Sequence, residues 1–266
     1  MRWISDQGLN CLQFPVLADL PDFFHGVFLR TAQDGPGRRY DFNVGLGHGM
    51  PKSRVWQNRE KMLAFFGAHY RGLYARQVHG KNVGIFNRRQ EHRHPDASRP
   101  NQLDGDALIT DKAGWALVIQ VADCQPVIII DPERGVVANV HSGWRGSIQN
   151  IIGTTIHHMA ADFKCRTRDL ICGIGPSLGP CCAEFINYRN EIPEAFWKYR
   201  RTDDLFDFWQ ISVDQLIGAG VRPENISLSG ICTKCNQHLF FSYRGERHTG
   251  RFAAVVGIRS GKGIGT

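Results

Sequence analysis

Two apolar runs, Val127-Ile128-Ile129-Ile130-Asp131 and Val136-Val137-Ala138-Asn139-Val140, flank the turn signal Pro132-Glu133-Arg134-Gly135. Short β-branched runs joined by turn residues predict a β-hairpin. If Asp131 opposes Val136, then His141 comes to face Pro126. Cys124 stands two residues beyond Pro126, about 7 Å away at ~3.3 Å per residue. A thiol and an imidazole therefore leave one end of one sheet. A soft anion beside a nitrogen base makes either a metal site or a Cys/His catalytic pair, and the hairpin leaves both open.

The rest of the chain alternates strand-like and helix-like segments, which predicts an α/β (α+β) class. Strands are expected at Leu73 to Val78, Ala107 to Thr110, Trp115 to Val121, Leu170 to Ile174 and Ile226 to Cys232. Leu239 to Tyr243 and Phe252 to Ile258 look like a final strand pair. A helix is expected from the N-cap Ser53 to about Phe66, with an apolar stripe of Val55, Trp56, Met62, Leu63 and Phe66. A second is expected after a Gly-rich turn, capped by Ser147 and buried through Ile148, Ile151, Ile152, Thr155, Ile156, Met159 and Phe163. Glu184 to Tyr199 and Ile211 to Ala219 complete the helices, with Gly220 ending the last. The polar, basic stretch from Asn87 to Leu103 is expected to be a surface loop, and its His92 and His94 to be solvated. Residues 1–266 are expected to form one domain.

No run of 18 apolar residues exists, so no membrane partner is expected. The start, Met1-Arg2-Trp3-Ile4-Ser5-Asp6, lacks an apolar h-region, and a cytoplasmic setting is expected. The formal net charge of +7 is scattered apart from Arg88 to His94. Such a charge speaks first to solubility; it also suits an anionic small molecule such as phosphate. No basic stripe interleaves with aromatic residues, which argues against a nucleic-acid partner.

His79, Cys124 and His141 share one context, at strand ends beside Gly, Pro or Asp. Three protein ligands are the usual complement of a catalytic zinc, with one position left for water or substrate. No further Cys or His stands within ten residues of Cys124, which favours an open position over a closed, non-enzymatic site. Arg145 follows His141 at the mouth of a helix, where backbone N–H groups attract anions. Arg59 interrupts an apolar stripe, either snorkelling at its edge or pointing into an anion-binding cleft. Arg251 in Thr249-Gly250-Arg251 is a third candidate cation. There are eight cysteines. Cys232-x-x-Cys235 resembles half of a zinc site, but its other half would have to be Cys181-Cys182, whose adjacency suits chelation poorly. No zinc is assigned to these four.

Several segments recur together in one known family: Gln77-Val78-His79-Gly80, Asp106 to Thr110, Ala122-Asp123-Cys124-Gln125-Pro126, His141 to Gly146, Gly175-Pro176-Ser177, Cys181-Cys182, Cys232-Thr233, Phe240 to Arg244 and Thr249 to Arg251. On these the chain, from about Phe23 to Ile258, resembles the YfiH family, also called the laccase-domain or multicopper polyphenol oxidase family. Ser142 departs from the usual Ala, Gly245 from a common charged residue, and the loop after Asn87 is long. The resemblance implies a layered sandwich of mixed sheets flanked by helices, with zinc on His79, Cys124 and His141. It implies phosphorolysis of adenosine, inosine and methylthioadenosine, and deamination of adenosine. Editing of peptidoglycan precursors by an amidase-type reaction and copper-dependent phenol oxidation are the alternatives it carries. A multicopper site needs many imidazoles, so copper fits the residues less well than zinc. For nucleoside chemistry, Cys124, His141 and Asp123 are the catalytic candidates, Asp123 as a proton shuttle. Asn43, Arg59, Gln77, Arg145 and Arg251 are the candidates for binding nucleoside and phosphate.

Overall fold

In the computed structural model, residues 1–260 are described except 36, 48, 68 and 88–100. The loop expected from Asn87 to Leu103, with His92 and His94, lies mostly outside the described residues. Its last part forms a strand rather than a loop. Strands β1 (Arg2–Asp6), β2 (Leu9–Gln13) and β3 (Phe23–Phe28) come first, then the small pair β4 (Thr31–Gln33) and β5 (Arg39–Asp41). Next are β6 (Arg71–Arg76), β7 (Val83–Phe86), β8 (Gln102–Asp104), β9 (Ala107–Thr110) and β10 (Trp115–Val121). The hairpin strands β11 (Gln125–Asp131) and β12 (Val136–Ser142) precede β13 (Ile171–Ile174), β14 (Ile226–Leu228) and β15 (Phe252–Ile258). The helices are α1 (Pro15–Ala18), α2 (Lys52–Ala64), α3 (Trp144–Ile148), α4 (Ile151–Phe163), α5 (Tyr188–Glu191), α6 (Phe208–Gly218) and α7 (Tyr243–Glu246).

A seven-stranded sheet runs β1-β2-β3-β15-β10-β6-β8, and a six-stranded sheet runs β14-β13-β11-β12-β9-β7. Both are mixed: β6 pairs parallel with β10, and β7 with β9, among antiparallel neighbours. The hairpin forms in the expected register, with Asp131 opposite Val136 and Pro126 opposite His141.

The sheets stack face to face. Ile128 and Ile130 of β11 join Leu117 and Ile119 of β10 and Ala254 and Val256 of β15 in one core. The alternate residues Val127 and Ile129 face the other way, against Ile152, Ile156 and Met159 of α4. Period-two alternation sends successive side chains to opposite faces, so a strand covered on both sides has no polar face. That is why β11 reads as a continuous aliphatic run. Each such side chain contributes roughly 1.5–3 kcal/mol on burial. On the far face of the larger sheet, Val118 and Val255 pack with Met62 of α2 and with Phe28. The order of layers is thus helix, sheet, sheet, helix, the sandwich of mixed sheets that the family resemblance implied. No helix of the described residues is long and apolar enough to cross a membrane.

Several local expectations fail for identifiable reasons. Ser53 lies inside α2, whose N-cap position is Pro51. Ser147 is buried within α3, and α4 is capped instead by Asn150, whose side chain accepts from Gly153 N. The stretch from Glu184 to Tyr199 is not one helix, because Pro193 separates α5 from a 3-10 turn at Glu194–Tyr199. Leu239 to Tyr243 forms no strand beside β15, because β10 and β3 already occupy both edges of β15.

Candidate active site

One carboxylate organises the centre. Asp106 is fully buried directly before β9. Its oxygens accept the backbone N–H groups of Val78 at 3.1 Å, His79 at 2.9 Å and Gly80 at 2.7 Å. They also accept His141 Nδ1, at 2.8 Å. An ionised carboxylate can only accept, so Nδ1 carries a proton and Nε2 is the ring nitrogen left free of Asp106. Burial pushes the Asp106 carboxyl up, but the bonds from His141, Gly80 and His79 outweigh it and hold the pKa below its ordinary value.

The same carboxylate fixes the second imidazole through the main chain. His79 has φ +60°, a left-handed conformation that costs a residue with a side chain roughly 1–2 kcal/mol. The three N–H bonds to Asp106 offset that cost. The His79 ring meets the His141 ring edge-on, with centroids 4.8 Å apart. Cys124, just before β11, brings its sulfur to 4.0 Å from His79 Nδ1. One ligand atom from each of His79, Cys124 and His141 lies within 4.8 Å of the others.

Gly143 completes the cradle. A Cβ there would stand 2.8 Å from His79 Nδ1 and 3.1 Å from Cys124 Sγ, so only glycine leaves the space between them free. For Cys124, burial raises the pKa, but His141 and His79 outweigh it and bring the thiol down to about 6. Burial lowers that of His141, but Cys124 and Asp106 outweigh it and bring the imidazole up to about 9. The pair favours a thiolate. A thiolate and two imidazoles aimed at one point, beside an empty volume, fit a zinc-class divalent ion. Asp106 is the outer carboxylate that commonly orients a ligating histidine. Among the described residues no fourth His, Cys, Asp or Glu joins the three.

The trio lies in a cavity of about 750 Å³, within the size range of small-molecule sites. Arg59, Arg145 and Arg251 all line it. Arg59 is buried, with Nε donating to Val44 O at 2.8 Å and the guanidinium packed over Tyr74 and Trp56. Burial lowers its pKa and no carboxylate offsets this, so the snorkelling alternative does not describe it. Burial likewise lowers that of Arg251, against weaker support from Cys124, Asp123 and Tyr243. Arg145 is exposed and stacks on Trp144 at 4.3 Å. Its helix α3 has five residues, too short for much dipole, so attraction here rests on the guanidinium. Trp144 and Phe185 line the wall with rings 5.8 Å apart at 70°.

Three candidates commit their side chains to hydrogen bonds within the frame, although Gln77 and Asp123 also line the cavity. Asn43 is absent from the cavity wall. Its Oδ1 accepts from Gly45 N and from Arg251 N at 2.8 Å, so it positions Arg251. Gln77 borders the cavity, but its amide clamps the Gln120 backbone through both ends. Asp123 accepts the Thr233 hydroxyl on one oxygen and Arg244 N on the other, each at 2.6 Å. It has φ +86° and props the turn that presents Cys124. Sequence reasoning assigned no role to Asp106 or Gly143. Their signals are a carboxylate directly before a buried strand, a glycine directly after His141-Ser142, and the place of both in segments that carry the family resemblance.

Fold and site together define an α/β sandwich with a Cys/His₂ centre beneath an arginine-lined cavity. The chain belongs to the multi-copper polyphenol oxidoreductase laccase family, whose pattern matches residues 24–259. It is 29% identical to purine nucleoside phosphorylase YlmD of Geobacillus stearothermophilus, over 88% of this chain and 89% of that one. It is 29% identical to a purine nucleoside phosphorylase of Xylella fastidiosa, over 91% and 96%. The crystal structure of Geobacillus YlmD superimposes with a TM-score of 0.80 at 28% identity, covering 97% of this chain and 99% of that one.

Proposed function

We propose that this chain is a metal-dependent purine nucleoside phosphorylase acting on adenosine, inosine and methylthioadenosine. The observation that carries the reading is the cavity itself. It joins a Cys/His₂ centre to two buried or half-buried arginines, Arg59 and Arg251, whose burial favours an anionic ligand. The names of the relatives support the same substrate class.

When bound at His79, Cys124 and His141, a zinc-class ion supplies a Lewis acid at the cavity floor. Arg59, Arg251 and Arg145 hold phosphate through charge-assisted hydrogen bonds. Trp144, Phe185 and Tyr243 offer aromatic surface to a purine. A phosphate oxygen bonds to the anomeric carbon as the glycosidic C–N bond breaks. The bond electrons leave with the purine, which takes up the proton that the hydrogen phosphate loses; free base results with ribose 1-phosphate from adenosine or inosine and 5-methylthioribose 1-phosphate from methylthioadenosine. Asn43 and Asp123 act by positioning Arg251 and Cys124. The same cavity admits adenosine deamination, in which water adds at the purine C6 and ammonia leaves. A multicopper reaction would need a cluster rich in imidazoles, and among the described residues this centre supplies two.

Purified protein is incubated with each nucleoside, with and without phosphate, and the products are separated by chromatography. Phosphate-dependent release of adenine or hypoxanthine is expected, and inosine formed from adenosine without phosphate marks deamination. Arg59→Met should raise the KM for phosphate by ~10-fold or more, as expected for loss of a charge-assisted contact. His79→Ala and Cys124→Ala should each abolish turnover. Full activity in both would remove the metal from the reaction, and no base release from any nucleoside would overturn the proposal.

A further inference from the structure

Four other cysteines meet away from the cavity trio. Cys181 and Cys182 lie in the loop after β13, and Cys232 and Cys235 in the loop after β14. Their sulfurs all lie within 4.8 Å of one another. Cys235 Sγ is 3.6 Å from Cys181 Sγ and 3.5 Å from Cys182 Sγ. These separations are far longer than a disulfide bond of about 2.05 Å. They are close to the ~3.8 Å edge of a tetrahedron built on Zn–S bonds of about 2.3 Å.

The adjacency of Cys181 and Cys182 looked unsuited to chelation in the sequence. The backbone resolves the difficulty. Cys182 N and Ala183 N both donate to Gly179 O, and this tight turn brings both sulfurs toward Cys235. The two loops are fastened together as well: Ser177 N donates to Ile231 O, and Thr233 N to Ser177 O. Two backbone N–H groups, of Gly179 at 3.3 Å and of Cys235, point at Cys232 Sγ. N–H donors aimed at a sulfur stabilise a thiolate rather than a thiol. Lys234 lies between the paired cysteines, and Arg244 Nη1 donates to Cys182 O, so positive charge is at hand for an anionic cluster.

We propose that Cys181, Cys182, Cys232 and Cys235 form a second, structural metal site that holds one zinc-class divalent ion through four thiolates. Four sulfurs crowded this closely suit a mononuclear ion. Soft thiolates in a tetrahedral set select zinc among the common divalent metals. Binding exchanges four thiol protons for one cation, with no change of oxidation state. With four protein ligands the site is closed, which distinguishes it from the open cavity trio. Its place in the fold gives it a purpose. The first loop carries Ala183 and Phe185 to the cavity wall, and Thr233 and Arg244 N hold the Asp123 carboxylate. An ion here fastens the wall of the cavity to the turn that presents Cys124.

The test uses the His79→Ala/Cys124→Ala double variant, which dismantles the cavity trio. The protein is purified under reducing conditions without chelator. One zinc per chain is expected by elemental analysis. Four thiols should resist alkylation until a strong zinc chelator is added, and mass mapping should place them at these four positions. Adding Cys181→Ser and Cys235→Ser should remove the zinc. Because that variant can misfold, cobalt is also loaded into the double variant. Intense sulfur-to-cobalt charge transfer with a tetrahedral visible spectrum is expected. Metal-free double variant with all four thiols freely alkylated would overturn the proposal. So would a disulfide among the four in protein kept reduced throughout.

Discussion

A single side chain, Asp106, holds both histidines of the cavity centre, one by its ring and one by its backbone. Asp106→Asn tests this. An amide has one acceptor oxygen, and its NH₂ group would face donors. His79 would lose part of the anchor for its left-handed backbone, and His141 its acceptor. Loss of an outer-sphere partner typically lowers metal affinity by about 10–100-fold. That loss should appear in competition with a chromophoric chelator, while far-UV circular dichroism stays as in the wild type. Unchanged affinity would deny Asp106 the role. Gly143→Ala makes a complementary case, since its methyl would stand 2.8 Å from His79 Nδ1. Metal occupancy should fall there with the Asp106 bonds intact. Neither residue was legible beforehand. A ligand type announces itself by its chemistry, whereas a second-layer carboxylate and a glycine acquire meaning only from what the fold brings against them. Cys124 and His141 were legible, because a hairpin of known register fixes which residues share an end.

At the scale of elements, legibility followed periodicity and failed at boundaries. Trp115 to Val121 and Ala107 to Thr110 form the strands their patterns suggest. The cap of α4 was misplaced, because Ser and Asn cap about equally well and only Asn150 sits at the left-handed turn that joins α3 to α4. Asn150 has φ +58° and its side chain accepts from Gly153 N. Asn150→Ala loses the cap and also the local side-chain hydrogen bonding that lets Asn occupy the left-handed region. Together these should cost about 2 kcal/mol. Asn150→Gly also loses the cap's side chain but removes the Cβ penalty of the left-handed conformation, and should cost under ~1 kcal/mol. Urea unfolding of the three proteins checks the order, and equal losses for Ala and Gly would show that the conformation carries none of the cost. The run Leu239-Phe240-Phe241 marks a different limit. Its Phe240 and Phe241 are buried in the core, but whether an apolar run becomes a strand depends on a free sheet edge, which a local window does not contain.

At the scale of the whole molecule, alternation of segments gave the α/β class and the family resemblance implied the layered sandwich, but the strand order did not follow from any segment. β15 lies between β3 and β10, and β6 beside β10, so the pairings that bring the cavity arginines together join distant parts of the chain. Cooperative unfolding of such a fold makes one buried group visible in the stability of the whole. His25 of β3 is 1% exposed, and its Nε2 accepts Phe14 N at 2.9 Å. Burial pushes the imidazole from its ordinary 6.5 down to about 4. Between those values the unfolded chain binds a proton that the folded chain refuses. The contribution of His25 is therefore complete above pH 6.5 and declines as pH falls toward 4, by about 3 kcal/mol in all. Below pH 4 both states are protonated and this loss ends. Other groups titrate over the same range, so the informative quantity is a difference. His25→Gln offers an acceptor for Phe14 N without a titrating ring. Urea unfolding of both proteins at pH 7 and pH 4.5 should show the variant losing less stability on acidification than the wild type, by roughly 2–3 kcal/mol. Parallel losses in the two proteins would mean that His25 takes up its proton in the folded state as readily as in the unfolded chain.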